Sequence, residues 1–234
     1  MQRTWQPLPL EATQSLLDRA HQVLLDGICS GGLPPGSRLL QEDLAKRFQV
    51  SRQPISHALV LLRQQGFVRD APGRGLEVAP IDPEHLRAVF AVRAVLDELA
   101  ATTAATRATK GNPFEPILTA GQAAVKDGNL PELIRWDVAF HALLAEAAGN
   151  PVLVEINRQQ WGHIRRGIAV ALQDPGFHRR CWEEHATISQ AILAGDAAEA
   201  GRIARRHCEV AGVETFQRLT EQQQGMSRYA ESSE

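Results

Sequence analysis

The chain has 234 residues, 44% of them hydrophobic and 22% charged, with a formal net charge of −2. That is ordinary globular material with room for two domains, and it excludes a largely disordered chain. No uncharged apolar run approaches the roughly 18 residues that a helical bilayer span needs. Cys29, Cys181 and Cys208 are odd in number and fit no disulfide framework, and the N-terminus carries no basic-then-apolar signal, so we expect a cytoplasmic protein.

From Leu10 to about Ser30, Leu16, Leu17, Ala20, Val23, Leu24 and Ile28 recur at helical intervals, which predicts a first helix, broken by the Gly- and Pro-rich run from Gly31 to Gly36. Gln41 to Phe48 places Leu44, Ala45 and Phe48 on one face of a second helix. After a break at Gln49-Val50, Ser51 is the expected N-cap of a third, whose apolar positions are Ile55, Ala58, Leu59 and Leu62. That third helix ends at Gly66. Phe67-Val68 and Leu76 to Val78 then flank Pro72-Gly73-Arg74-Gly75, the signature of a β-hairpin with an arginine at its tip.

Two short helices and a hairpin in this order predict a winged helix-turn-helix, because the major groove of B-form DNA, about 12 Å wide, admits one helix braced by another. The amides at Ser51, with Arg38, Lys46 and Arg47, suit phosphate oxygens. Arg52, Gln53, Ser56 and His57 carry donors and acceptors suited to base edges. Residues 34–79 hold seven Lys or Arg against four acids, a local excess of positive charge in a net-negative chain.

Pro80-Ile81-Asp82-Pro83 marks the boundary between an N-terminal domain, 1–79, and a second domain that starts at 83, with 80–82 as linker. Beyond it only helical periodicity appears. Turn signals such as Asp127-Gly128-Asn129 and Gly149-Asn150-Pro151 cut it into about six helices, near 83–109, 113–126, 130–148, 151–172, 177–194 and 197–221. The expected fold is therefore mostly α, a winged helix-turn-helix followed by an antiparallel all-α bundle over 83–221, with a polar, frayed tail at 222–234.

Asp137 and His141, four apart, project from one face of one helix, and His185 and His207 come from two others. A carboxylate with three imidazoles suits zinc or another divalent first-row metal (Ni, Mn or Fe) and can leave coordination positions open. Cys181 and Cys208 read as small core residues, and His21, His85, His163 and His178 as surface or satisfied core residues.

The N-terminal half resembles the winged helix-turn-helix of GntR-superfamily transcription factors through Pro35-Gly36-Ser37-Arg38-Leu39, Leu44-Ala45, the run Val50-Ser51-Arg52-Gln53-Pro54-Ile55-Ser56-His57-Ala58-Leu59, and Gly73-Arg74-Gly75. Ser56 stands where that pattern usually has arginine, and His57 where an acid is common, so the operator should differ from those of relatives. The resemblance implies that Arg52 reads a base and that Gly73 to Gly75 approach the minor groove. The helical half resembles the FadR-type FCD ligand-binding domain, which implies a metal on Asp137, His141, His185 and His207. It further implies a small carboxylate effector clamped by Arg93, with help from Arg165 or Arg166; an i, i+4 ion pair of Arg93 with Asp97 is the alternative role.

The function expected is that of a homodimeric, effector-controlled regulator on a near-palindromic operator, most simply a repressor of a metabolic operon, and not an enzyme. Two rivals are a metal-dependent hydrolase or lyase with a DNA-binding appendage, for which Glu183 or Glu184 would have to move protons, and an architectural DNA-binding protein without ligand control.

Overall fold

The computed structural model describes residues 15–107, 111–172 and 174–231. The chain divides into two compact units, one ending at Pro80 and the other beginning at Ile81.

In the first unit α1 (Leu16–Cys29) is capped by a Ser15/Asp18 capping box, each side chain bonding the other's backbone amide. Residues 10–14 of the helix expected from Leu10 lie outside the described residues. Then come α2 (Gln41–Phe48) and α3 (Arg52–Gln64), joined through Gln49 in the left-handed conformation, φ 55°. Ile55, Ala58, Leu59 and Leu62 are each 0% exposed and close the core of this unit with Leu24, Ile28, Leu44 and Phe67. Truncating such a buried leucine to alanine generally costs about 2–5 kcal/mol.

The wing is the antiparallel pair β1 (Val68–Asp70) and β2 (Leu76–Val78), in register Val68 to Val78 and Asp70 to Leu76. Gly73 and Gly75, at φ 89° and 96°, make its tip, a backbone that residues with a Cβ rarely adopt. Arg38 bridges to Glu77 on the other edge of β2.

The second unit contains α4 (Pro83–Ala105), α5 (Glu115–Asp127), α6 (Leu130–Ala147), α7 (Pro151–Ala171), α8 (Pro175–Leu193) and α9 (Ala197–Glu231), and no strand among the described residues. Prolines in the first turn recur because that turn's amides have no partner within the helix. Asp82, Asn129 and Asp174 cap α4, α6 and α8 by accepting from first-turn amides. A core built on Phe90, Trp161, Ile164, Phe177 and Trp182 fills one part of the bundle, and one on Phe114, Phe140, Leu144 and Ile188 the other. At Gly121 α5 packs against Trp182 of α8: a Cβ there would lie 2.0 Å from the ring.

One expectation fails at the C-terminus. The sequence predicts a frayed tail over 222–234, yet α9 runs on to Glu231, and 232–234 lie outside the described residues. Most of those residues are good helix formers, and Gln223 Nε2 donates to the Ile81 carbonyl at 2.9 Å, which ties the helix down.

Candidate DNA-reading and metal-binding sites

On the first unit Lys46, Arg47, Ser51, Arg52, Gln53, His57 and Arg74 are all exposed, and Ser56 is half-exposed. Ser51 has the extended N-cap backbone, but its hydroxyl makes no capping bond, so the first-turn amides of α3 have no side-chain partner there. No acid sits in that turn, which leaves the positive helix end open to an anion. Glu42 of α2 lies 3.2 Å from Arg52 and 3.5 Å from Lys46, an exposed network that holds Arg52 beside the helix end.

Arg38, expected to meet phosphate, is engaged elsewhere. Its two terminal nitrogens donate to the carbonyls of Arg74 and Pro72 at 2.7 and 2.8 Å, so it braces the tip of the wing.

In the second unit Asp137 and His141 come from α6, His185 from α8 and His207 from α9, and their ligand atoms all lie within 4.8 Å of one another. All four are buried. His185 Nε2 is 3.2 Å from His207 Nε2 and 3.6 Å from Asp137 Oδ1, and His141 Nε2 is 3.8 Å from that oxygen. Two donors on one ion with bonds of about 2.1 Å stand about 3.0–3.4 Å apart, so the set needs only a small contraction to close on a metal.

Two carboxylates orient the rings. His207 Nδ1 donates to Glu184 Oε2 at 2.7 Å, which leaves Nε2 with its lone pair toward the cluster. His141 Nδ1 makes a short, bent contact of 2.8 Å with Asp97 Oδ2. The same oxygen accepts from Cys208 Sγ at 3.1 Å and from Arg93 Nε at 3.4 Å.

Burial pushes the proton affinity of His185 well below the ordinary imidazole value, aided by the neighbouring rings of His207 and His141. It lowers His141 too, with Arg93 adding to the effect against the pull of Asp97. Burial opposes ionisation of Asp97, but His141 and Arg93 outweigh it and hold its carboxyl below the usual range. Glu184 is likewise lowered, its burial outweighed by His207. Neutral imidazoles beside ionised carboxylates are the ligand states a divalent ion requires. Asp137 Oδ2 and His141 Nε2 have no hydrogen-bond partner among the described residues, so the donor set fits a cation better than it fits itself.

Arg93 is 2% exposed, paired with Asp97 in the i, i+4 fashion, and stacked 4.2 Å over the Trp161 ring, while its Nη1 has no partner among the described residues. Arg165 is half-buried and Arg166 buried, both on α7. Cys181 and Cys208 are buried, and burial drives both thiols well above their ordinary range. His85 and His163 meet edge to face at 4.8 Å, and His21 bonds Gln65 at 2.7 Å. Spacing pairs Asp137 with His141 and the family resemblance adds His185 and His207; neither points to Asp97 and Trp161 as their neighbours, and Glu184 enters the sequence reading only as a proton carrier.

Residues 16–78 match the family described as bacterial regulatory proteins, gntR family, and residues 88–210 match the FCD domain. Among curated relatives, the HTH-type transcriptional repressor RspR of Escherichia coli (strain K12) is 28% identical over 141 residues, 59% of this chain and 62% of that protein. The chain thus matches less than two thirds of that relative's length. An uncharacterized HTH-type transcriptional regulator in an unstable DNA locus of Streptomyces ambofaciens is 30% identical over 180 residues, 75% of this chain and 74% of that one. Of solved structures, E. coli McbR/YncC superposes with a TM-score of 0.75 at 21% identity, covering 88% of this chain and 99% of that one. A putative GntR transcriptional regulator from Rhodococcus sp. RHA1 gives 0.73 at 22%, covering 86% and 97%. At such identities these two establish a common fold.

Proposed function

The chain belongs to the gntR family of bacterial regulators that carry an FCD domain, and from that premise we propose that it is a metal-bearing regulator that releases or rearranges on an operator when a small organic acid binds. Its relatives are transcriptional regulators, which sets aside the reading as a hydrolase or lyase. The observation that carries the proposal is the convergence of Asp137, His141, His185 and His207 inside one unit while the exposed DNA-facing residues cluster on the other.

Asp137, His141, His185 and His207 would hold the ion, and a divalent ion such as zinc supplies open positions to which a carboxylate can bind. Asp97 and Glu184 fix the ring orientations of His141 and His207. Arg93, beside this cluster with a free Nη1, faces the acid's charge; Arg165 assists from α7.

On the other unit the α3 amides from Ser51, with Lys46 and Arg47, take phosphate. Arg52, Gln53, Ser56 and His57 read base edges, and Arg74 between Gly73 and Gly75 enters the minor groove. Two copies would meet two half-sites of a near-palindrome, and repression released by the acid is the simplest output. By linkage, operator and acid must weaken each other equally.

The test is selection of duplexes from a random pool by the purified chain, then anisotropy titration. The expected result is a near-palindromic site whose affinity falls at least about tenfold with Arg52→Ala. Binding indifferent to sequence at every salt concentration defeats the proposal.

A further inference from the structure

Asp137, His141, His185 and His207 are 2%, 1%, 0% and 4% exposed, so an ion can reach the four donors only if a side chain moves. Two of the three rings are wedged. His185 is stacked on Phe140 with ring centres 4.0 Å apart and meets Trp182 edge-on at 4.9 Å. His141 stands edge-on to Phe140 at 5.2 Å and lies 5.7 Å from Trp161. Rings packed this closely cannot turn without displacing their neighbours. His207 differs: its aromatic neighbours among the described residues are the other two imidazoles alone, at 4.7 and 5.4 Å.

His207 also borders open space. A hollow of about 180 Å³ lies between α8 and α9, lined by Glu184, Thr187, Arg202, Ile203, Arg206 and His207. Thr187, Arg202 and Arg206 are exposed and mark its mouth, while the half-buried Glu184 and the buried His207 form its inner wall. Such a space can receive a turned imidazole or a partly hydrated ion.

We infer that this hollow is the loading port of the metal cluster: the ion enters and leaves past His207, whose ring turns out into the hollow, and Glu184 is the carboxylate that meets the ion first. One hydrogen bond makes a single event of both movements. His207 Nδ1 donates to Glu184 Oε2 at 2.7 Å, so turning the ring out breaks that bond and bares a carboxylate to the arriving cation. The returning ring carries Nε2 back to the other three donors and restores its Nδ1–H to Glu184, with no net transfer of a proton. At the mouth Arg202 is paired with Glu199 at 2.6 and 2.7 Å, whereas the charge of the exposed Arg206 opposes the entry of a cation. This inference rests on the metal-bearing reading above and adds the route by which the metal comes and goes.

Stopped-flow association of zinc with the full chain, and its dissociation into excess chelator, give the two rate constants. Thr187→Trp sets an indole in the mouth from the exposed side of α8. Both rate constants should fall at least about tenfold while their ratio, the dissociation constant, stays within about threefold, because an obstacle on the path raises the barrier to entry and exit alike. If that variant does not fold or shifts the ratio further, Arg206→Glu takes its place. It should raise the association rate constant about tenfold at about 10 mM salt, a gain that vanishes near 1 M. Unchanged rate constants in the deciding variant overturn the port and leave the metal reading standing, since the ion then travels elsewhere. A chain that binds no zinc defeats both.

Discussion

Arg38 tests whether the wing acts as a braced lever or as a set of independent contacts. Its guanidinium reaches two tip carbonyls, those of Arg74 and Pro72, at 2.7 and 2.8 Å. Charge-assisted bonds of this kind, on an exposed surface, together contribute about 1–2 kcal/mol to holding the tip. An arginine in a groove contributes about 1–3 kcal/mol to binding. If the brace places Arg74, either Arg38→Ala or Arg74→Ala should weaken operator binding about tenfold, and the pair should also weaken it about tenfold, a coupling of about 1.4 kcal/mol. Anisotropy titrations of the four proteins against salt give both numbers. The slope of log affinity on log salt should fall by about the same amount, near 0.9, in each single variant and in the pair. A pair weakened about a hundredfold, with the slope falling twice as far, would mean that Arg38 touches phosphate on its own account, and the lever would be refuted.

Two other outcomes follow from the helical unit. Zinc in hundredfold excess over its dissociation constant should stabilise the chain by about 2.7 kcal/mol, seen as a rise of several degrees in thermal unfolding. Glu184→Gln should weaken zinc binding about 10–100-fold while leaving the unfolding temperature of the metal-free protein nearly unchanged. An equal loss of stability with and without zinc would show that Glu184 serves only packing. Gly121→Ala should destabilise by about 1–3 kcal/mol in urea, because the added methyl would lie 2.0 Å from the buried Trp182 ring, which itself stands edge-on to His185 at 4.9 Å. The same substitution should weaken zinc binding; unchanged stability and zinc affinity would mean that α5 moves aside at no cost.

What could be read from the sequence was local. Helix periods, the proline-led starts, the Asp82 cap and the glycines of the wing tip depend on neighbours within a turn or two, as does the reach of Asp137 and His141 from one face of α6. The contacts that orient the cluster are not local. Asp97 meets Cys208 and Glu184 meets His207 across helices 111 and 23 residues apart, and no period encodes them. Arg93 shows both sides: its i, i+4 pair with Asp97 was visible in the spacing, whereas its place over Trp161 required the packed bundle. Charge alone marks Arg38 for phosphate, and nothing in its sequence surroundings shows that the wing tip folds back to it. Polarity alone marks the C-terminal residues as frayed, whereas α9 runs on to Glu231 past the bond from Gln223 to Ile81.

Asp97 Oδ2 has two lone pairs and three suitors: the His141 ring, the Cys208 thiol and the Arg93 guanidinium. Whatever draws Arg93 away relaxes that rivalry in favour of the other two, and whatever turns the imidazole has the opposite result. α4, α6 and α9 thus meet at a single carboxylate oxygen.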